Sequence, residues 1–145
     1  MNKRAKLKLC NKSLFIVLLA LIVSIAAIIG CGHNEMLGLP PQAWTHLHIT
    51  LAIILIAFVV WHLQLHFGWR KWRTKISKLK SPATPKLYWI IWLTAISGLA
   101  AFIVDEILNI HTPLGGIHGI IGLLALLFSL GHLIKRRDKL FTKKS

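Results

Sequence analysis

Cysteine is scarce in this chain: two residues, Cys10 and Cys31, among 145. That excludes a disulfide framework, and neither a C-x-x-C-H haem-attachment motif nor a zinc-type cysteine pair occurs. Basic residues number 18 against 4 acidic ones, yet most of the sequence lacks them. They fall in three blocks, Lys3 to Lys12, Arg70 to Lys86 and Lys135 to Lys144. A nucleic-acid binder needs its cations on a folded, water-facing surface. Here they punctuate hydrophobic runs, so anionic lipid headgroups are the natural counter-charge and nucleic acid is not an expected partner. The length suits one domain, residues 1–145, and leaves no room for a second.

What the chain has in plenty is apolar residues, 55% of the total and too many for an ordinary soluble domain. Four stretches stand out: Ser13 to Gly30, about Leu47 to Phe67, Leu87 to Val104, and Leu114 to Ile134. A helix rising about 1.5 Å per residue needs roughly 20 residues to cross the hydrocarbon core. Helices also satisfy their own backbone groups, which lipid cannot do. The expected fold is all-α, a four-helix transmembrane bundle of up-down topology.

The charges set its orientation. Five Lys and Arg precede the first span, seven lie between the second and third, and six follow the fourth, which accounts for all 18. The segments Cys31–His46 and Asp105–Pro113 have none and carry Glu35, Asp105 and Glu106. By the positive-inside rule both termini and the middle loop are cytoplasmic, in a bacterial inner membrane. Trp69, Trp72, Ile76 and Leu79, set among basic residues, predict an amphipathic interfacial segment over about 69–80. Ser81-Pro82 and Pro85 are expected to break that helix before the third span. Ile28-Ile29-Gly30-Cys31 also matches the end of a lipoprotein signal, whose cleavage would leave three spans. The 18-residue run exceeds a usual signal core, which favours retention.

Eight histidines remain to be placed, and those within spans are functional suspects by default. His48 and His62 in the second span are 14 residues apart, as are His118 and His132 in the fourth. Fourteen residues end about 40° short of four turns and rise about 21 Å, so each pair shares a face and reaches towards both sides of the bilayer. Both spans run in the same direction, which allows His48 to sit level with His118 and His62 with His132. Two such helices can clamp two porphyrins, each iron held by an imidazole from either side. Filled axial positions leave no open site for oxygen or substrate; such centres pass electrons. The expected axial ligands are therefore His48, His62, His118 and His132, holding two b-type haems.

Small residues where a macrocycle would approach the backbone fit this reading, among them Gly98, Gly119 and Gly131, although small residues also let membrane helices pack closely. Each ligand imidazole should donate its other N–H to a carbonyl or hydroxyl, for which Thr50, Thr94, Ser97 and Ser129 are candidates. Leu47-His48 and Ile117-His118 correspond at an offset of 70 residues, as do His62-Leu63 and His132-Leu133, which suggests a duplicated hairpin. His66, one turn beyond His62, could replace it as ligand, bind a propionate, or bind a metal with it. The 14-residue match favours His62. His33, His46 and His111 read as solvated residues of the outer side, with an outer redox-partner or quinol site as the lesser reading.

These residues bring a family into view. Trp44-Thr45-His46-Leu47-His48, followed by Trp61-His62-Leu63-Gln64-Leu65-His66-Phe67-Gly68-Trp69, resembles the flavinylation-associated cytochrome domain family of small bacterial membrane proteins. That family has an Ile/Leu-His pair early in a span and H-L-x-L-H-W near its end; Phe67 departs from the usual Trp. The match covers the first two spans, and a similarity to the haem-helix spacing of cytochrome b proteins extends to the last two. The resemblance implies b-type haem and a non-catalytic electron-transfer subunit. It also implies passage of electrons from quinol or a cytoplasmic donor to an extracytoplasmic flavoprotein that carries its own covalent flavin. Alternatives are a metal or proton transporter using His62, His66 and Asp105, or a structural subunit, which would leave the two equal spacings as coincidence. A di-iron oxygenase would need several clustered histidine motifs, and only one H-x-x-x-H occurs.

Overall fold

The computed structural model describes residues 2–31, 35–68, 83–110 and 112–141. Among them are four α-helices and no strand: α1 (Lys3–Cys31), α2 (Pro41–Phe67), α3 (Ala83–Ala101) and α4 (Leu114–Phe141). A π-helical turn, Phe102–Ile107, continues α3. Each helix is long and apolar enough to cross a membrane, over Lys3–Gly30, Pro41–Phe67, Pro85–Asp105 and Leu114–Lys135. The four apolar stretches lie inside these limits, and the chain is an all-α, multi-pass membrane protein. The helices overrun the apolar stretches at the ends because Lys and Arg are good helix formers, so the basic block does not stop α1. The interfacial segment expected at 69–80, with Ser81-Pro82, lies outside the described residues. Pro85 sits inside the first turn of α3. The N–H groups of a first turn have no helical acceptor, so proline removes nothing there.

Two compact units make up the chain, Met1–Trp72 and Arg73–Ser145. In each, the two helices pack on one another as a hairpin, α1 with α2 and α3 with α4. The first hairpin turns at Met36–Leu39, whose end residues exchange both backbone hydrogen bonds at 3.1 Å. Its central residues, Leu37 and Gly38, take φ values of 53° and 73°, as a turn this tight requires. Pro41 then starts α2, where its fixed φ suits the first helical position. Trp44, one turn in, is 5% exposed and packs on Ala27 of α1, whose small side chain admits the indole. Its Nε1–H donates to the Met36 carbonyl at 3.2 Å, tying the turn to the hairpin. Towards the other end, the buried Cys10 thiol donates to the Phe58 carbonyl at 3.6 Å.

The second hairpin closes differently. Asp105 lies in the π turn, and its Oδ1 accepts from both the N–H and the hydroxyl of Thr112, at 3.2 and 2.8 Å. The Thr112 hydroxyl in turn accepts from the Leu114 N–H at 3.4 Å, satisfying one of the orphan donors at the start of α4. Outside these contacts the membrane-spanning stretches also expose large apolar side chains. Ile16, Ile53, Ile96 and Ile120, one from each helix, are 64–67% exposed. In water such faces would drive aggregation; in lipid they are simply solvated.

Trp44 separates packing from hydrogen bonding. Trp44→Ala is expected to lower stability by roughly 3 kcal/mol, and Trp44→Phe, which keeps a ring but loses the N–H, by about 1 kcal/mol. Thermal unfolding in detergent measures both. Equal losses would assign the contribution to the hydrogen bond and contradict the packing account.

Candidate histidine site

Each hairpin carries one early and one late histidine on its second helix: His48 and His62 on α2, His118 and His132 on α4. All four are half-buried. The early histidine of each is met by a serine from the first helix.

In the first hairpin that serine is Ser24, fully buried on α1. Its hydroxyl donates to the Leu21 carbonyl at 2.7 Å, a bond back along its own helix. The same oxygen lies 3.2 Å from His48 Nδ1. A hydroxyl has one proton and two lone pairs. The His48 tautomer decides whether the hydroxyl or the ring is the donor in that contact. The second hairpin repeats the arrangement. Ser97 donates to the Thr94 carbonyl at 3.0 Å and its oxygen lies 3.1 Å from His118 Nδ1. The His118 ring also hydrogen-bonds the Thr94 backbone. Hydrogen bonds between membrane helices average about 0.6 kcal/mol, so these contacts add little to the cohesion of a hairpin. What they contribute is the orientation of a ring.

Gly98 supplies the second constraint on His118. A Cβ built at Gly98 would stand 2.7 Å from His118 Cε1, with Nδ1 at 3.1 Å and Nε2 at 3.3 Å. The ring therefore lies close against α3 at Gly98, where any added Cβ would crowd it. Gly119 and Gly131 differ: a Cβ there meets nothing within 4 Å. Of the three glycines singled out by the sequence, one has a histidine as its reason.

His62 and His66 are neighbours on α2, their ring centroids 4.7 Å apart and their planes inclined by 54°. His66 is the more exposed of the two. His46 is exposed on the first turns of α2, while His33 and His111 lie outside the described residues. Among the candidate hydroxyls, Ser97 reaches a histidine. Thr50 and Thr94 turn instead to carbonyls of their own helices, His46 at 2.9 Å and Ile90 at 2.8 Å. Ser24 was not among the candidates from sequence. Its one signal is a parallel of local context, Ser24-Ile25-Ala26-Ala27 beside Ser97-Gly98-Leu99-Ala100-Ala101.

Among the described residues, no three of His, Cys, Asp and Glu gather as a metal site. Haem makes no such demand, because the porphyrin supplies the in-plane ligands and the protein only the axial ones. An imidazole with its Nδ1 side held by a hydroxyl has the outer-shell support that a metal-ligating histidine needs. His48 and His118 have that support on their Nδ1 side.

Crowding at Gly98 gives a sharp expectation. Gly98→Ala should destabilise the protein by about 1–3 kcal/mol through overpacking against His118. Gly119→Ala and Gly131→Ala should stay within about 0.5 kcal/mol of the parent. Thermal unfolding in detergent reads all three, and a silent Gly98→Ala would mean that the ring does not press on α3. Comparison with models of known protein families, with curated proteins and with solved structures gave no match for this chain.

Proposed function

We propose that this chain is a dihaem b-type cytochrome of the bacterial inner membrane, a non-catalytic subunit that carries electrons across the bilayer. His48 and His118 would hold the outer haem, and His62 and His132 the inner one, with His66 as the competing inner ligand. The observation that supports this best is the repeated serine-to-imidazole hydrogen bond at His48 and His118, in two hairpins that otherwise close differently. Haem bound in this way supplies a one-electron iron couple. The residues of the chain do the rest. Ser24 and Ser97 orient the rings and Gly98 gives His118 its place against α3; with all four imidazoles holding the haems, no place would be left for oxygen or substrate. Charge distribution supports cytoplasmic termini. The resemblance of the first two spans to flavinylation-associated cytochrome domains supports quinol or a cytoplasmic donor on one side and a flavinylated extracytoplasmic protein on the other.

A transporter is the weaker reading on two specific grounds. Transporters interrupt their helices near the midplane, whereas α2 and α4 run unbroken over 27 and 28 residues. Asp105, the carboxylate such a relay would use, is engaged in closing the second hairpin through Thr112.

Purified protein should give the reduced-minus-oxidised spectrum of low-spin b haem, at about two haems per chain. His48→Ala and His118→Ala should each remove one and the same haem, and His62→Ala and His132→Ala the other. Colourless protein from haem-replete cells would overturn the proposal. Loss of the inner haem in His66→Ala but not in His62→Ala would reassign that ligand.

A further inference from the structure

We propose that the outward face of α1 binds an anionic phospholipid, with Arg4, Lys8 and Lys12 at its headgroup phosphate and an acyl chain laid along Leu19 and Val23. Haem plays no part in this binding.

Lys3, Arg4, Lys6, Lys8 and Lys12 are all helical and all exposed, crowded at one end of α1. Electrostatics oppose a helix there. Cations disfavour the positive end of the helix dipole, and like charges four residues apart repel. The sequence nevertheless specifies helix, because Asn2 Oδ1 caps that end by accepting the Ala5 N–H at 2.9 Å. Glu35 is the only acidic residue of the unit Met1–Trp72, and it lies beyond the other end of α1. The counter-charge for these cations therefore comes from outside the unit.

The helix itself indicates what brings that charge. On a helix turning about 100° per residue, Arg4, Lys8, Lys12, Leu19 and Val23 fall within an arc of about 100°. Cys10 and Ser24, both fully buried, lie on the opposite face. Leu19 and Val23 are 46% and 57% exposed. Val23 stands about 16 Å along the axis from Lys12, close to half of a hydrocarbon core roughly 30 Å thick. A stripe that is cationic at one end and aliphatic for the depth of one leaflet matches a phospholipid, phosphate first and then chain. Nucleic acid or an acidic protein would match the cations and leave the aliphatic part uncovered. The height agrees as well. Ser24 beside His48 and Cys10 beside Phe58 set the hairpin register, which puts Lys3–Lys12 alongside the last turns of α2. Trp61 lies in those turns, and tryptophan collects at the headgroup level of a membrane.

The test uses full-length protein in vesicles of phosphatidylcholine and phosphatidylglycerol in equal amounts. A trace of either lipid carries a photoactivatable group on its chain, and adducts are mapped by mass spectrometry. Parent protein should favour phosphatidylglycerol over phosphatidylcholine at Leu19 and Val23 by about 10-fold. Lys8→Gln with Lys12→Gln should bring that ratio close to one. Lys3→Gln with Lys6→Gln removes the same charge from the other side of α1 and should keep the parent ratio. Gln forms helix about as well as Lys, so both variants retain α1. A parent ratio near one, or equal losses in the two variants, overturns the proposal in favour of diffuse charge attraction. Soluble glycerol phosphate has the headgroup without the chain and should leave the ratio unchanged; a fall would overturn the role of Leu19 and Val23. A duplex oligonucleotide that lowers the ratio at the same salt concentration would assign the cations to nucleic acid instead.

Discussion

An imidazole inside hydrocarbon has to find a partner for its N–H within the protein, because no water is present to serve. That requirement fixes more of this molecule than its small contribution to stability suggests. The acceptor must come from the neighbouring helix at the matching level, so it sets how the two helices of a hairpin align. In the first unit the Ser24–His48 contact shares one antiparallel register with Ala27 against Trp44 nearer the turn, and with Cys10 and Phe58 further along. In the second, Ser97–His118 shares a register with Thr94 beside Gly122 and with Asp105 on Thr112. Each histidine is held by the same alignment that packs its hairpin.

The two units arrive at this device from different surroundings. His48 and His118 correspond at an offset of 70 residues, whereas Ser24 and Ser97 are 73 apart. The three-residue difference falls between serine and histidine, at the closing end of each hairpin. One closes with a tight turn at Leu37-Gly38 and a proline start, the other with a π turn and a carboxylate. A contact retained while the segment between its partners changes length is held by something other than the local sequence. Geometry at the histidine is the constraint the two share.

Much of this was legible in the residues, and what was not has a physical cause. Hydropathy runs and blocks of Lys and Arg delimit the four helices, because the thickness of a bilayer and the cost of burying cations leave few other readings. The spacing of His48 from His62 and of His118 from His132 follows from the pitch of a single helix. Ser24 was hidden because a partner across a hairpin depends on the register between two helices, which the period within one helix does not carry. In the run Val23-Ser24-Ile25-Ala26-Ala27 a serine reads as one more small packing residue. Gly98 was visible as small but indistinguishable from Gly119 and Gly131 until His118 was placed beside it.

The choice of serine also bears on what the site is for. A carboxylate at position 24 or 97 would be the stronger acceptor and would push more electron density onto the ring. Burying its charge between helices, however, brings a desolvation penalty of several kcal/mol, against about 0.6 kcal/mol from a typical membrane hydrogen bond. No acidic residue occurs in the spans Lys3–Gly30, Pro41–Phe67 or Leu114–Lys135, and the single one in Pro85–Asp105 is its last residue. A neutral acceptor gives direction to the ring without adding a charge that the lipid must then accommodate. In both hairpins the side chain set beside Nδ1 is a serine hydroxyl, a group that gives direction without taking up or releasing a proton.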